Sequence, residues 1–210
     1  MERRLTADEP ISEWLHALAS TGANPGGGAA AALMAGMAAA LVEMVVAHRR
    51  SHASPEEEIR RRCLEAFSAA MRETAPEMAD QDTVASSGFA AANRRDDAAD
   101  RSAAMREAGL AAAESSVSVG RFAATLVPVL RELVDDTSTL LLADVGTAAA
   151  TLAASTRAAA LNVGTDLRIA GDAGSERSDL LRALDELETT TGELEAIVDR
   201  VRDRVTPRGA

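Results

Sequence analysis

Three places in this chain combine residue types that can do chemistry. The first is Asn24-Pro25-Gly26-Gly27-Gly28, followed at once by the small-residue run Ala29 to Ala32. Three successive glycines weaken a helix, so their place directly before a helical run needs a reason. One reason is ligand approach: bare backbone lets a planar ring or a carboxylate reach the free amides of a helix N-terminus. The other is a tight turn followed by a close helix crossing. The spacing fits neither the phosphate loop, which needs a following Lys, nor the dinucleotide fingerprint after a strand.

The second place is an acid on an apolar face. Met71, Ala75, Met78, Ala85 and Phe89 form one helical stripe with steps of 4, 3, 7 and 4 residues, and the missing member is Asp82. The period turns Asp82 inward and sets Asp80 about 160° around the helix. A carboxylate so placed must pair with a cation or hold a proton, and in the second case it is a candidate general base. The pattern allows a structural ion pair with an arginine as well as acid–base work. The third place holds Asp144 and Asn162, 18 residues apart. Five helical turns put them on one face but about 27 Å apart, so they cannot grip the same small group. Asp144 fits a helix cap. Asn162, set in Ala159-Ala160-Leu161-Asn162-Val163, is the stronger candidate, because a buried amide needs partners. Basic groups cluster at His48-Arg49-Arg50 and at Arg94-Arg95 with Arg101. They could draw in an anionic ligand, or simply complement helix C-termini. His16, His48 and His52 fit no catalytic triad, and no metal site is expected.

The elements that must hold these groups follow from composition. Of 210 residues, 47 are alanine and 2% aromatic; tyrosine and lysine are absent, so all 22 basic residues are arginine. Any grip on an anion must therefore be arginine or backbone amide. Alanine excess with few β-branched or aromatic residues favours helix over sheet. A chain this long buries about 70% of its unfolded surface and needs no disulfide or metal. One domain over 1–210 is expected, and the lone Cys63 fits a reducing cytoplasm. A formal charge of −11 argues against a nucleic-acid partner. The start, MERRLTADEP, lacks the apolar core of a signal peptide. Gly26 to Ala47 is long enough to span a bilayer, but it is mostly alanine and carries Glu43, so a buried helix and no membrane are expected.

Gly and Pro punctuation predicts a short helix from Ser12, with Trp14, Leu15 and Leu18 on one face, and a second helix from the glycines to His48. Longer helices are predicted over 55–92 (bent at Pro76), 98–134 (with Pro128 late in it) and 140–163. After the turn 171–174, Ser175 is placed to cap a last helix. That helix carries the heptads Leu180, Leu184, Leu187, Thr191, Leu194, Val198, Val201 and Val205, a packing seam within the bundle or toward a second subunit.

These residues, in this order, resemble the cyclodeaminase/cyclohydrolase family. That family includes the cyclodeaminase domain of formiminotransferase–cyclodeaminase and the bacterial methenyltetrahydrofolate cyclohydrolases. Its Trp-Leu helix followed by Pro-Gly-Gly-Gly is similar to Trp14 to Ala19 and Pro25 to Ala31. Its acidic helix motif is similar to Asp80-Gln81-Asp82-Thr83-Val84-Ala85-Ser86. Its Ser-Asp and Asn-Val segments are similar to Ala143-Asp144-Val145-Gly146-Thr147-Ala148-Ala149 and Ala159 to Val163. The resemblance implies an all-α, multihelical up-and-down bundle of long antiparallel helices that forms a homodimer. It implies a tetrahydrofolate derivative as substrate, with no separate cofactor, and an acid–base role for Asp82. The substrate-binding candidates are Pro25, Gly26, Gly27, Gly28, Asn162, Asp144, Arg49 and Arg50.

Two reactions fit. In the cyclohydrolase, expected first, Asp82 takes a proton from water adding to the bridging carbon of 5,10-methenyltetrahydrofolate. In the cyclodeaminase, N10 attacks the formimino carbon, Asp82 takes the N10 proton and ammonia leaves. Lack of an attached formiminotransferase domain and the Ala-Ala-Leu-Asn-Val segment favour the cyclohydrolase. The sequence departs from the family pattern at Glu43, Arg49-Arg50, Ser86, 92–95 and Asp166, and a Gly-Asn before Asp144 is missing. A rival expectation is a non-catalytic helical dimer that binds a folate or a protein partner.

Overall fold

A computed structural model describes residues 5–21, 25–48, 54–171 and 174–206. Among these residues the regular structure is helical throughout, with no strand. A 3-10 turn, Thr6–Asp8, leads into α1 (Ile11–Leu18), α2 (Gly27–Ala47), α3 (Pro55–Asn93), α4 (Ala98–Ala124), α5 (Val127–Asp136), α6 (Thr139–Ala170) and α7 (Gly174–Val205).

Local chemistry explains several of these ends. Ser54 starts α3 with a reciprocal cap: the Glu57 N–H donates to its hydroxyl, its own N–H donates to the Glu57 carboxylate, and Pro55 follows in the first turn. Asp97 accepts from the N–H groups of Ala99 and Asp100, both at 2.9 Å, and so opens α4. Gly171, at φ 68°, ends α6 in a conformation that side chains avoid. Three boundaries differ from expectation. The helix expected over 98–134 breaks at Thr125-Leu126, because Pro128 lacks the N–H that would continue it and instead sits in the first turn of α5. α6 extends past Val163 to Ala170, and α7 already begins at Gly174, so Ser175 lies inside its first turn.

Close contacts give the register. Gly28 and Gly36 of α2 lie against Asp82 and Ala75 of α3, so these two helices are antiparallel. Gly88 of α3 faces Ala108 of α4, while Gly109 and Gly120 of α4 face the 166–170 segment and Ala159 of α6. Ser155 of α6 donates to the Ala31 carbonyl of α2 at 2.7 Å, fully buried. Gly146 of α6 meets Val201 of α7. The pairs α2–α3, α3–α4, α4–α6, α2–α6 and α6–α7 therefore run antiparallel, as expected for an up-and-down bundle.

α2 sits between α3 and α6 with α4 also against it. That position accounts for its composition: Ala29, Ala31, Ala32, Ala35, Ala38, Ala39, Val42, Val45 and Val46 are all buried, and a helix surrounded on several sides is apolar on several sides. α2 and α6 are each long and apolar enough to cross a membrane by length and composition, yet here much of that apolar surface is covered by neighbouring helices. The heptad seam of α7 is used inside the bundle. Leu180, Leu187, Thr191, Leu194 and Val201 are buried, with Ala183 and Ile197 beside them, and the Thr191 hydroxyl shares a buried 2.8 Å hydrogen bond with Thr156 of α6.

Small residues set the distance between α2 and α3. A Cβ on Gly36 would come 2.6 Å from the Cβ of Ala75, so Gly36→Ala is expected to force the two helices apart and cost about 1–3 kcal/mol. Gly192 of α7 has open space around its Cα, and Gly192→Ala is expected to gain up to about 1 kcal/mol from helix propensity. Urea denaturation of the two variants measures both signs.

Candidate active site

α2 begins without a side-chain cap, because its cap position is Gly26. The first intrahelical bond runs from the Ala30 N–H to the Gly26 carbonyl, which leaves the amides ahead of it seeking acceptors. One acceptor comes from another helix. The Asp82 carboxylate, 3% exposed, lies from α3 against the first turn of α2, where the Ala29 backbone N–H favours its ionised form. The approach requires a bare Cα: a Cβ on Gly28 would lie 2.6 Å from Asp82 Oδ2 and closer still to Oδ1. The Ser115 hydroxyl of α4 stands 3.5 Å from Oδ1.

Among the described residues no arginine meets Asp82, whose neighbours are the first turn of α2 and Ser115. Burial pushes its pKa above the usual carboxylate value, opposed by the Ala29 amide and the Ser115 hydroxyl. Asp80, by contrast, faces Thr6, whose hydroxyl donates to its carboxylate at 2.8 Å and whose N–H donates at 3.1 Å. One carboxylate of the pair ties down the N-terminal segment. The other is held in the interior at a helix N-terminus.

Asn162 joins this group. Its side-chain oxygen and nitrogen lie 3.5 and 3.7 Å from where a Cβ on Gly27 would be, so the amide stands over the exposed first residue of α2. The structure thus brings Gly26, Gly27, Gly28, Asp82 and Asn162 to one end of the bundle, with Pro25 immediately before them. It does not bring Asp144 there. Ser138 takes the cap position of α6, and Asp144 is half-buried well inside the helix, about 27 Å from Asn162 along the axis. Arg49 and Arg50 lie outside the described residues, as does Asn24. Arg101 donates to the carbonyls of Arg95 and Asp96 and so ties the turn between α3 and α4, about 18 Å along α3 from Asp82. Glu43 pairs with Arg72 of α3 at 2.7 Å, a surface tie between α2 and α3.

Two members of the site were not singled out as site residues in the sequence. Ser115 hides in an alanine-rich stretch with nothing to distinguish it from Ser116 and Ser118. Asp166 had a usable signal: it is one turn past Asn162, on the same helical face. It is 8% exposed, and burial together with the negative charge of Asp82 pushes its carboxyl pKa to about 7.

This end of the bundle therefore offers a buried carboxylate that can take a proton, free backbone amides that can hold an oxygen, and a side-chain amide that can both donate and accept. The fold and site define an all-helical protein whose glycine-opened alanine helix carries a buried carboxylate at its N-terminus. The chain belongs to the formiminotransferase-cyclodeaminase family, whose sequence profile matches residues 10–178, and whose members are enzymes acting on folate one-carbon units. No curated protein matches the chain with significance. Among solved structures, formiminotetrahydrofolate cyclodeaminase from Thermotoga maritima has the same fold, with a TM-score of 0.79 and 23% identity over 95% of this chain and 96% of that one.

Asp166 ties stability to pH. Its carboxyl ionises near 3.8 in an unfolded chain and near 7 in the fold, so between these values the folded state holds a proton that the unfolded state has released. Stability from this group therefore falls as pH rises through that window and is lowest above it. Asp166→Asn is expected to match the parent near pH 4 and to melt higher at pH 8, by about 2–4 °C for each kcal/mol relieved. Thermal melts at the two pH values check it; equal gains at both would show that charge is not the cause.

Proposed function

We propose that the chain is a folate one-carbon enzyme working by acid–base catalysis from Asp82. The observation that carries this reading is the buried Asp82 carboxylate, met by no cation among the described residues, seated on the open N-terminus of α2 beside Asn162. A carboxylate raised by burial and held in place by an amide is suited to accept a proton from a nitrogen or a water molecule. The backbone amides of Gly27 and Gly28 hold an oxygen of the folate, as helix N-termini do for carboxylates and similar groups. Asn162 bonds the pterin or the reacting one-carbon unit. Gly28 is required for Asp82 to stand where it does, and exposed Gly27 leaves room for a flat ring.

The two reactions converge on one tetrahedral carbon between N5 and N10. In the cyclodeaminase direction N10 attacks the formimino carbon, Asp82 takes the N10 proton, and the carbon–nitrogen bond to the departing ammonia breaks. In the cyclohydrolase direction Asp82 takes a proton from water as its oxygen joins the bridging carbon, and the bond from that carbon to N5 breaks. We assign the cyclodeaminase reaction first, since both the family name and the name of the Thermotoga structure point to it. The cyclohydrolase is the second reading, supported by the likeness of Ala159 to Val163 to that branch. The assembly proposed is a cytoplasmic homodimer with no cofactor beyond the folate itself and no nucleic-acid or membrane partner.

One chromophore separates the two. Purified chain given 5-formiminotetrahydrofolate is expected to build up methenyltetrahydrofolate absorbance with release of ammonia, whereas cyclohydrolase activity removes that absorbance from added methenyltetrahydrofolate. Asp82→Asn is expected to lower either rate about 10²–10⁴-fold. Gly28→Ala, which pushes the carboxylate off the Ala29 amide, is expected to lose activity comparably while staying helical by circular dichroism. Rates equal to buffer on both folates overturn the enzyme reading. Folate binding by calorimetry without turnover would then point to a binding module, and no binding to a helical assembly protein.

A further inference from the structure

The reaction proposed above needs two proton movements, and Asp82 accounts for one. We propose that Asp166 is the second acid–base group of this site: its carboxyl group, buried one turn beyond Asn162 and facing Asp82, carries the proton delivered to the departing nitrogen. This proposal rests on the folate reading.

The register of the helices brings the two acids together. On α4, Ser115 marks the level of Asp82, and Gly109 lies against the backbone of Asp166. The two carboxyl groups thus flank α4 from α3 and α6, within a few residues of each other along its axis. A Cβ on Gly109 would come 2.9 Å from both the Asp166 carbonyl and the Ala170 nitrogen, so α4 and α6 meet backbone to backbone here. Among the described residues neither a cation nor a hydrogen-bond donor meets the Asp166 carboxyl group.

The groups facing it from each neighbour are few. α3 contributes Asp82. α4 contributes Gly109 and the buried Ala112 and Ala113, with Arg106 and Glu107 exposed nearby. α2 contributes glycines. On α7, Arg177 is engaged with the carbonyls of Leu167 and Gly171, and Arg168 of α6 itself is exposed. Two acids facing each other in the interior resist ionising together, so below the upper transition they carry one proton between them. Burial and the charge of Asp82 keep that proton on Asp166 up to about pH 7.

The step balances in the cyclodeaminase direction. N10 attacks the protonated formimino carbon, and ionised Asp82 removes the proton from N10. Protonated Asp166 gives its proton to the amino group on the tetrahedral carbon. The carbon–nitrogen bond breaks with its electron pair going to nitrogen, so neutral ammonia and the methenyl cation leave. The proton on Asp82 then passes to Asp166, which restores the pair. In the cyclohydrolase direction the same proton goes to N5 as the ring opens.

The test is kcat/KM against pH for wild type, Asp82→Asn, Asp166→Asn and Asp166→Glu. A bell is expected for wild type. Asp166→Asn is expected to lose the alkaline limb and about 10²–10⁴-fold of kcat, with KM within about threefold, and Asp166→Glu to recover part of the rate. In carboxyl carbon-13 spectra, the Asp166 midpoint is expected to fall in Asp82→Asn, a measurement that needs no turnover. An active wild type whose Asp166→Asn variant keeps both limbs and a rate within about threefold overturns this proposal alone. An Asp166 midpoint unmoved by Asp82→Asn also overturns it. A wild type inactive on both folates overturns the folate reading and this proposal together.

Discussion

The structure depends on one contact, the Asp82 carboxylate lying on the N-terminus of α2 across the bare Cα of Gly28. A helix N-terminus carries partial positive charge and amides without intrahelical acceptors, and Gly26 supplies no side chain to satisfy them. Asp82 supplies an acceptor from a different helix. The same contact draws a carboxylate into the interior, where it is costly as an ion and therefore holds protons more tightly. Structure and chemistry are thus one arrangement: the group that ends the α2 helix is also the group that can act as base.

Everything around this contact serves to bring backbone close to backbone. Gly36 against Ala75, Gly109 against Asp166 and Ala170, and Gly120 against Leu187 let long helices approach more nearly than larger side chains permit. The alanine of α2 and α6 belongs to the same strategy, since each small side chain removes little surface from water but allows many close contacts along the helix. Away from the acids, Leu126, Leu130, Leu133, Leu142, Leu152 and Leu194 form the main core with the valines of α2, while Leu167, Leu180 and Leu187 form a second one between α6 and α7.

Arginine, the only basic side chain among Lys and Arg here, is used mostly on the outside. Arg60 with Glu132, Arg121 with Glu186 and Arg157 with Glu195 link neighbouring helices at the surface, where such pairs add little individually. Arg101 and Arg177 instead close turns by donating to backbone carbonyls. Among the described residues none reaches Asp82 or Asp166.

Much of this was legible in the residues. Composition pointed to helices, because alanine is the strongest helix former and aromatic residues are scarce, and the stripe from Met71 to Phe89 turned Asp82 inward because helical periodicity is a local property. The glycines before α2 could be recognised as a helix start with exposed amides for the same reason. What the sequence could not determine is which groups meet across helices. It left Asp82 between an ion pair and a base, and only the packing of α3 on α2 showed a helix N-terminus as its partner. It could not tell that Asn162 stands over Gly27 while Asp144 lies near the opposite end, or that the α7 seam closes within the bundle. Nor did it mark Ser115, or bring Asp166 beside Asp82. Those facts depend on the register between antiparallel helices, which is decided by close crossings far apart in the chain and so belongs to the tertiary structure alone.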